Sequence, residues 1–193
     1  MSIHTIIPTI ALTLGFALAP MSAHAADSYT VDKDHTAAIF KVKHAGVSYT
    51  YGRFNDIKGS MVFDAANPAA SKVDILIQVG SVDTFNQKRD AHLANPDFFD
   101  AKQFPELKFV STVFKKVDDS TFDVTGDFTL HGVTKPITIK AVKVGEGKDP
   151  WGGYRIGFES TFTIKRSDFG MTKMMEAVGD DVTVIFSAEG IKK

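Results

Sequence analysis

Histidine, arginine and serine are the side chains here with chemistry to offer, and their spacing decides what that chemistry is. Beyond residue 25 there are four histidines: His35, His44, His92 and His131. No two have the i, i+4 spacing of a helical zinc pair, so a metal site would need ligands from distant strands. The sequence has no cysteine, which excludes thiol nucleophiles, disulfides and thiolate-bound metals. Ser111, Ser160 and Ser187 lie in strand-like segments, none inside a Gly-x-Ser-x-Gly elbow. Gly145-Glu146-Gly147 and Gly152-Gly153 lack the strand-to-helix setting of a phosphate loop and read as turns. Arg89 and His92 are three apart in a helix-like stretch, so they share a face. Two cations so placed can hold an anionic headgroup such as a pyrophosphate. They can equally be a solvated helix face, or pin the helix to its neighbour. No catalytic constellation and no cofactor are expected from this set.

The elements that carry these residues are mostly strands. Apolar side chains recur at every second position: Phe122, Val124, Gly126, Phe128 and Leu130, then Tyr154, Ile156, Phe158, Phe162 and Ile164. Val73, Ile75, Ile77 and Val79 follow the same period, as do Ile57, Met61 and Phe63. A period of two marks strands with one buried and one wet face, which favours antiparallel pairing. Eight strands are expected, at 36–44, 53–64, 72–80, 106–117, 121–131, 136–145, 153–166 and 181–190, with a short lead-in at 28–32. Asn67-Pro68, Asp118-Asp119-Ser120, His131-Gly132 and the 145–153 glycines supply turn residues. So many regularly spaced strands make an all-β sandwich or a closed barrel. Two segments depart from the pattern. Phe85–Asn95 reads as a short helix, capped by Asp83 or Thr84 and stopped by Pro96. Asp168–Asp180 reads as a short helix or an irregular lid.

The chain's 193 residues suit one domain. Residues Ile10 to Ala19 form an apolar run too short to span a bilayer as a helix. Ala23-His24-Ala25 follows, with the small-x-small pattern of a signal-peptidase site. Residues 1–25 are therefore expected to be a cleavable export signal, although no Lys or Arg precedes the apolar run, and 26–193 the mature domain. No later segment is long and apolar enough for a helical membrane anchor. A net charge of −1 gives no global field to recruit nucleic acid.

Sixteen phenylalanines stand against four tyrosines and one tryptophan. Phenylalanine has no polar handle, so it suits a dry core or an apolar ligand pocket. Phe40, Phe63, Phe109, Phe128, Phe158 and Phe162 all fall on expected inward faces. Composition does not choose between a filled interior and a hollow one, because an eight-stranded barrel can be either.

Several motifs in order resemble the YceI family of lipocalin-like polyisoprenoid-binding proteins. They are Tyr29-Thr30-Val31-Asp32 with His35-Thr36, Phe40 to His44, and Arg89-Asp90-Ala91-His92-Leu93 with Phe98-Phe99-Asp100. The most specific is Gly126-Asp127-Phe128-Thr129-Leu130-His131-Gly132-Val133-Thr134-Lys135-Pro136; Asp149 to Gly153 and Arg166 to Gly170 complete the series. The resemblance covers about 27–191. It implies an extended eight-stranded antiparallel barrel with one short helix at a mouth, enclosing a long isoprenoid chain in a periplasmic or secreted setting. The expected ligand wall is Phe40, Val42, Ile57, Met61, Phe63, Phe109, Phe128, Phe158 and Phe162. His44, Arg89 and His92 are the expected polar contacts. A prenyl chain of some forty carbons would gain roughly 30 kcal/mol by burial, above the roughly 20 kcal/mol ceiling of non-covalent affinity. Ordering the chain must offset the excess.

The expected role is sequestering or carrying a polyisoprenoid, such as an isoprenoid quinone or a prenyl pyrophosphate. The rivals are an enzyme on such lipids, with His44, His92 or His131 as base, and a ligand-free structural or stress-related domain with a filled barrel. An exposed strand edge or mouth would also allow a homodimer. For the export signal, intact-mass measurement of native protein is expected to place the mature N-terminus at Ala26; an intact Met1 would refute cleavage.

Overall fold

The computed structural model describes residues 26–193; the expected export signal lies outside the described residues. Alternating side chains produce eleven strand segments. They are β1 (Asp27–Val31), β2 (Ala37–His44), β3 (Ser48–Phe54), β4 (Ile57–Phe63), β5 (Lys72–Gln78), β6 (Val82–Asp83), β7 (Glu106–Lys116), β8 (Thr121–Leu130), β9 (Val133–Lys148), β10 (Tyr154–Lys165) and β11 (Val178–Lys192). A single α-helix, α1 (Gln87–Leu93), lies between β6 and β7.

The eleven segments fill eight positions in one closed antiparallel barrel. β11 pairs with β10 on one side. On its other side it pairs with β2 through Ser187↔Ala37 and with β1 through Val31↔Gly190. β1 and β2 are thus one strand position interrupted at residues 32–36. β3 and β4 are likewise one position, pairing with β2 and β1 in turn, and β5 and β6 another. Every other neighbour is a chain neighbour, so the order is up-and-down.

The structure revises several sequence expectations. The expected strand at 53–64 is two segments separated at Asn55-Asp56, and residues 48–52 extend the first of them. β9 continues to Lys148, so Gly145 and Gly147 are strand residues, and the turn is Asp149–Gly153. The cap of α1 is Asn86, whose side chain accepts from the Arg89 backbone N–H, not Asp83 or Thr84. Arg166–Phe169 is a 3-10 turn, and irregular backbone follows to Ala177. The β8–β9 turn is as expected: His131 and Gly132 both have positive φ, 52° and 74°, as a two-residue type I′ hairpin requires.

One polar cluster fastens the outside of the barrel at the β1–β2 interruption. The Arg155 guanidinium donates to Asp32 at 2.6 Å and to Asp149 at 2.8 Å. It also donates to Glu189. Asp32 in turn accepts from or pairs with His35 Nδ1 at 2.9 Å. The hydrogen bond from Arg155 first, and then that of His35, hold the Asp32 pKa down to about 2. The same contact with Asp32 raises the pKa of His35.

The signs of these two shifts are opposite. Asp32 contributes stability above its unfolded pKa of about 4, and loses it as pH falls through about 2. His35 contributes below its unfolded pKa of about 6.5, and its contribution is lost as pH rises through its raised folded value. Arg155→Met is expected to destabilise the fold at neutral pH, because it leaves three carboxylates together without their shared cation. It should also flatten the loss of stability between about pH 4 and 2. Urea unfolding across that range checks both, and an unchanged acid slope would contradict the role given to Arg155.

Candidate functional site

The inward faces do not close on one another. They leave a cavity of about 190 Å³ whose lining runs along the barrel. Phe63 and Phe158 lie towards the end that holds the β7–β8 and β9–β10 turns; Phe99 and Met171 lie towards the end that holds α1. Aromatic edges meet faces around it, Phe63 with Phe158 at 5.3 Å and Phe54 with Phe99 at 5.6 Å between centroids, and Phe40 lies tilted against Phe54 at 5.7 Å. Such contacts fix ring orientation without using a polar group. The Phe40 ring needs a glycine opposite it, since a Cβ on Gly52 would stand 2.2 Å from the ring.

Most of the expected wall lies along this cavity. Phe40 and Val42 come from β2, Met61 and Phe63 from β4, Phe109 from β7, Phe128 from β8, and Phe158 and Phe162 from β10. Ile57 is buried in the core but does not line the cavity. The three expected polar contacts also lie elsewhere. His44 is exposed at the start of the β2–β3 hairpin. Arg89 turns back to donate to the Thr84 carbonyl at 2.7 Å and to its hydroxyl at 2.8 Å. Asp90 accepts from the backbone N–H and hydroxyl of the same Thr84. His92 points the other way, 3.4 Å from Asp97 and edge-on to Phe98. Arg89 and Asp90 thus tie the start of α1 to Thr84, and Arg89 and His92 do not converge on one anion.

Other lining residues escaped the sequence reading. Phe98 and Phe99 cover the end near α1, and Val182, Val184, Phe186 and Ala188 form the β11 wall. The period-two run of β11 was the available signal. Ser160 also lines the cavity, and its hydroxyl is buried without a hydrogen-bond partner. Arg166 is 3% exposed. It donates to the carbonyls of Met171, Val178 and Gly179 at 2.6, 2.8 and 2.9 Å. Burial lowers its pKa from the usual guanidinium value. Its donors hold the segment after β10 against the barrel end. His131 does not line the cavity either; its Nδ1 lies 3.0 Å from the Phe169 carbonyl. Asp32, His35 and Glu189 bring ligand atoms within 4.8 Å of one another, but Arg155 already bonds to both carboxylates.

A YceI-like domain profile matches residues 29–190. The chain belongs to that family. A UPF0312 protein of Ectopseudomonas mendocina is 48% identical over 185 residues, covering 95% of this chain and 96% of that protein. The crystal structure of BcnA from Burkholderia cenocepacia superposes with a TM-score of 0.76 at 25% identity, over 82% of this chain and 98% of that one. A domain from Saccharophagus degradans, described as polyisoprenoid-binding and implicated in plant cell wall breakdown, superposes at 0.67. Its identity is 17%, over 86% of this chain and 98% of that one, so the likeness is one of fold. The YceI barrel of this chain thus has an apolar hollow as its main internal feature.

A side chain that borders a hollow has fewer neighbours to lose than one packed on all sides. Phe122 is 2% exposed and lies outside the cavity lining; its replacement by Ala is expected to cost about 4 kcal/mol. Phe162→Ala, at the cavity wall, is expected to cost about 2 kcal/mol. Paired urea denaturation curves measure the contrast, and equal costs would mean that the interior is packed at Phe162.

Proposed function

We propose that this protein is a periplasmic binding protein that sequesters or carries a long-chain polyisoprenoid lipid, such as an isoprenoid quinone or a prenyl pyrophosphate, and is not an enzyme. The observation that carries the proposal is the apolar cavity running along a closed barrel. A prenyl tail offers no hydrogen-bonding groups, so its site needs apolar area and shape more than donors. The Phe-rich lining has that character. YceI membership supports the proposal, as does the fold likeness to a domain described as polyisoprenoid-binding. The export signal expected at residues 1–25 is the ground for a periplasmic location. Among the described residues no helix is long and apolar enough to cross a membrane.

An enzyme would need an acid–base pair against the lipid. Among the ionisable lining residues, Lys72 and Glu159 are exposed and Arg166 is committed to backbone carbonyls. His44, His92 and His131 do not line the cavity.

Organic extraction of protein purified from its native host, followed by mass spectrometry, is expected to yield a prenyl lipid in roughly equimolar amount. Adding that lipid to extracted protein at a hundred times its dissociation constant should stabilise the fold by about 2.7 kcal/mol. If no prenyl lipid copurifies and none raises the melting temperature when added, the proposal fails.

A further inference from the structure

Ser160 is anomalous on its wall. It stands on β10 between Phe158 and Phe162, all three lining the cavity, and pairs in register with Phe186 of β11, another lining residue. It is 6% exposed. Among the described residues, its Oγ is the buried side-chain polar atom without a hydrogen-bond partner. Leaving a buried hydroxyl unpaired is destabilising, and alanine would fill the position without that penalty. The β9–β10 ladder ends at Glu159↔Val142, so residues 160–165 pair only with β11. Ser160 is the first residue past the point where the two strands part.

We infer that the Ser160 hydroxyl is a specificity contact for an uncharged oxygen carried by the bound lipid, of the carbonyl kind found in a quinone ring. The inference rests on the lipid-binding function proposed above and selects between its two lipid classes. Water is a poor partner for this hydroxyl. A buried water needs two to four polar neighbours, and those flanking Ser160 are Phe158, Phe162 and Phe186. A diphosphate is also a poor partner. Its charges would need several donors or cations inside the barrel, and the buried cation of the lining, Arg166, donates to Met171, Val178 and Gly179. A neutral carbonyl needs one donor, so the hydroxyl serves one of a quinone's two uncharged oxygens, and the ring carbons are served by aromatic walls. Ser160 lies near the middle of β10 (Tyr154–Lys165), roughly 17–20 Å along the strand from its two ends, so the oxygen it meets is away from a mouth.

The test compares three probes on lipid-extracted protein: a long-chain isoprenoid quinone, a hydrocarbon of the same prenyl length without the ring, and the prenyl diphosphate of that length. Affinities are measured for the unsubstituted protein, Ser160→Ala and Ser160→Thr. Ser160→Ala is expected to bind the quinone about tenfold more weakly, the worth of one buried hydrogen bond. It should bind the hydrocarbon within twofold of the original, and Ser160→Thr should recover most of the quinone affinity. Without lipid, Ser160→Ala should melt no lower than the original, since it loses an unpaired polar group; this separates a ligand contact from a folding role. Equal quinone affinity in Ser160→Ala would overturn the inference and leave lipid binding standing. A tenfold loss for the diphosphate in place of the quinone would overturn the choice of an uncharged oxygen. Failure of every probe to bind the unsubstituted protein would overturn the lipid-binding function itself, and this inference with it.

Discussion

Closure of the barrel through β11 is the constraint on which the remaining structure depends. This one strand holds β10 along its whole length on one side and, on the other, first β2 and then β1. That second side is served by two segments in different registers, Val31 opposite Gly190 and Ala37 opposite Ser187, with the chain interrupted at residues 32–36. Across the break the Asp32 N–H still donates to the Glu189 carbonyl at 2.8 Å, which places two carboxylates side by side that repel without a cation. Arg155, at the start of β10, supplies it and reaches Asp149 in the neighbouring turn as well. The network thus ties together the elements that meet where the strand position is interrupted. Closure then determines the interior. Eight strands set a girth at which side chains either fill the barrel or leave a channel, and edge-to-face phenylalanines leave a channel here.

Charge and greasiness are kept apart by the same geometry. Along each strand, one face meets water and the other meets the cavity. Acidic and basic residues therefore pair across the outer surface, as Lys140 with Asp123 and Lys165 with Asp181. Such exposed pairs add little stability each. The energy of the fold lies in the inner face, whose surplus of phenylalanine would be costly to solvate. Arg166 and Asp64 are the buried exceptions among the described residues; Arg166 satisfies the carbonyls of Met171, Val178 and Gly179, and Asp64 the N–H groups of Ala66 and Asn67.

Sequence alternation disclosed the architecture wherever one face was apolar and the other wet, as in β8 and β10. It failed where no face was apolar. Tyr49 and Tyr51 are exposed and Thr50 is half-buried, so the first half of β3 carried no stripe to read. The breaks did leave a trace, as slips in phase. Buried positions are even at Gly52 and Phe54, then odd at Ile57, Met61 and Phe63. They are odd at Tyr29 and Val31, then even at Ala38 and Phe40. Phe109 and Phe114 differ by five, across the register shift between Ser111 and Val113. A period of two that changes parity marks a bend or bulge, because the extra residue flips every later side chain.

The cavity wall was legible for the same reason, and the polar contacts were not. Helical spacing placed Arg89 and His92 on one face but said nothing of what that face met. Thr84 and Asp97 draw the two side chains apart, and neither contact leaves a periodic signal. Ser160 shows the converse. In the sequence it is one small polar residue among phenylalanines, indistinguishable from a serine bonded to the backbone. In the fold its hydroxyl is buried and unpaired, at the residue where β10 parts from β9. Local periodicity can therefore locate a surface, but whether a polar group on it is satisfied depends on strands distant in sequence. That property separates a structural serine from one that awaits a ligand.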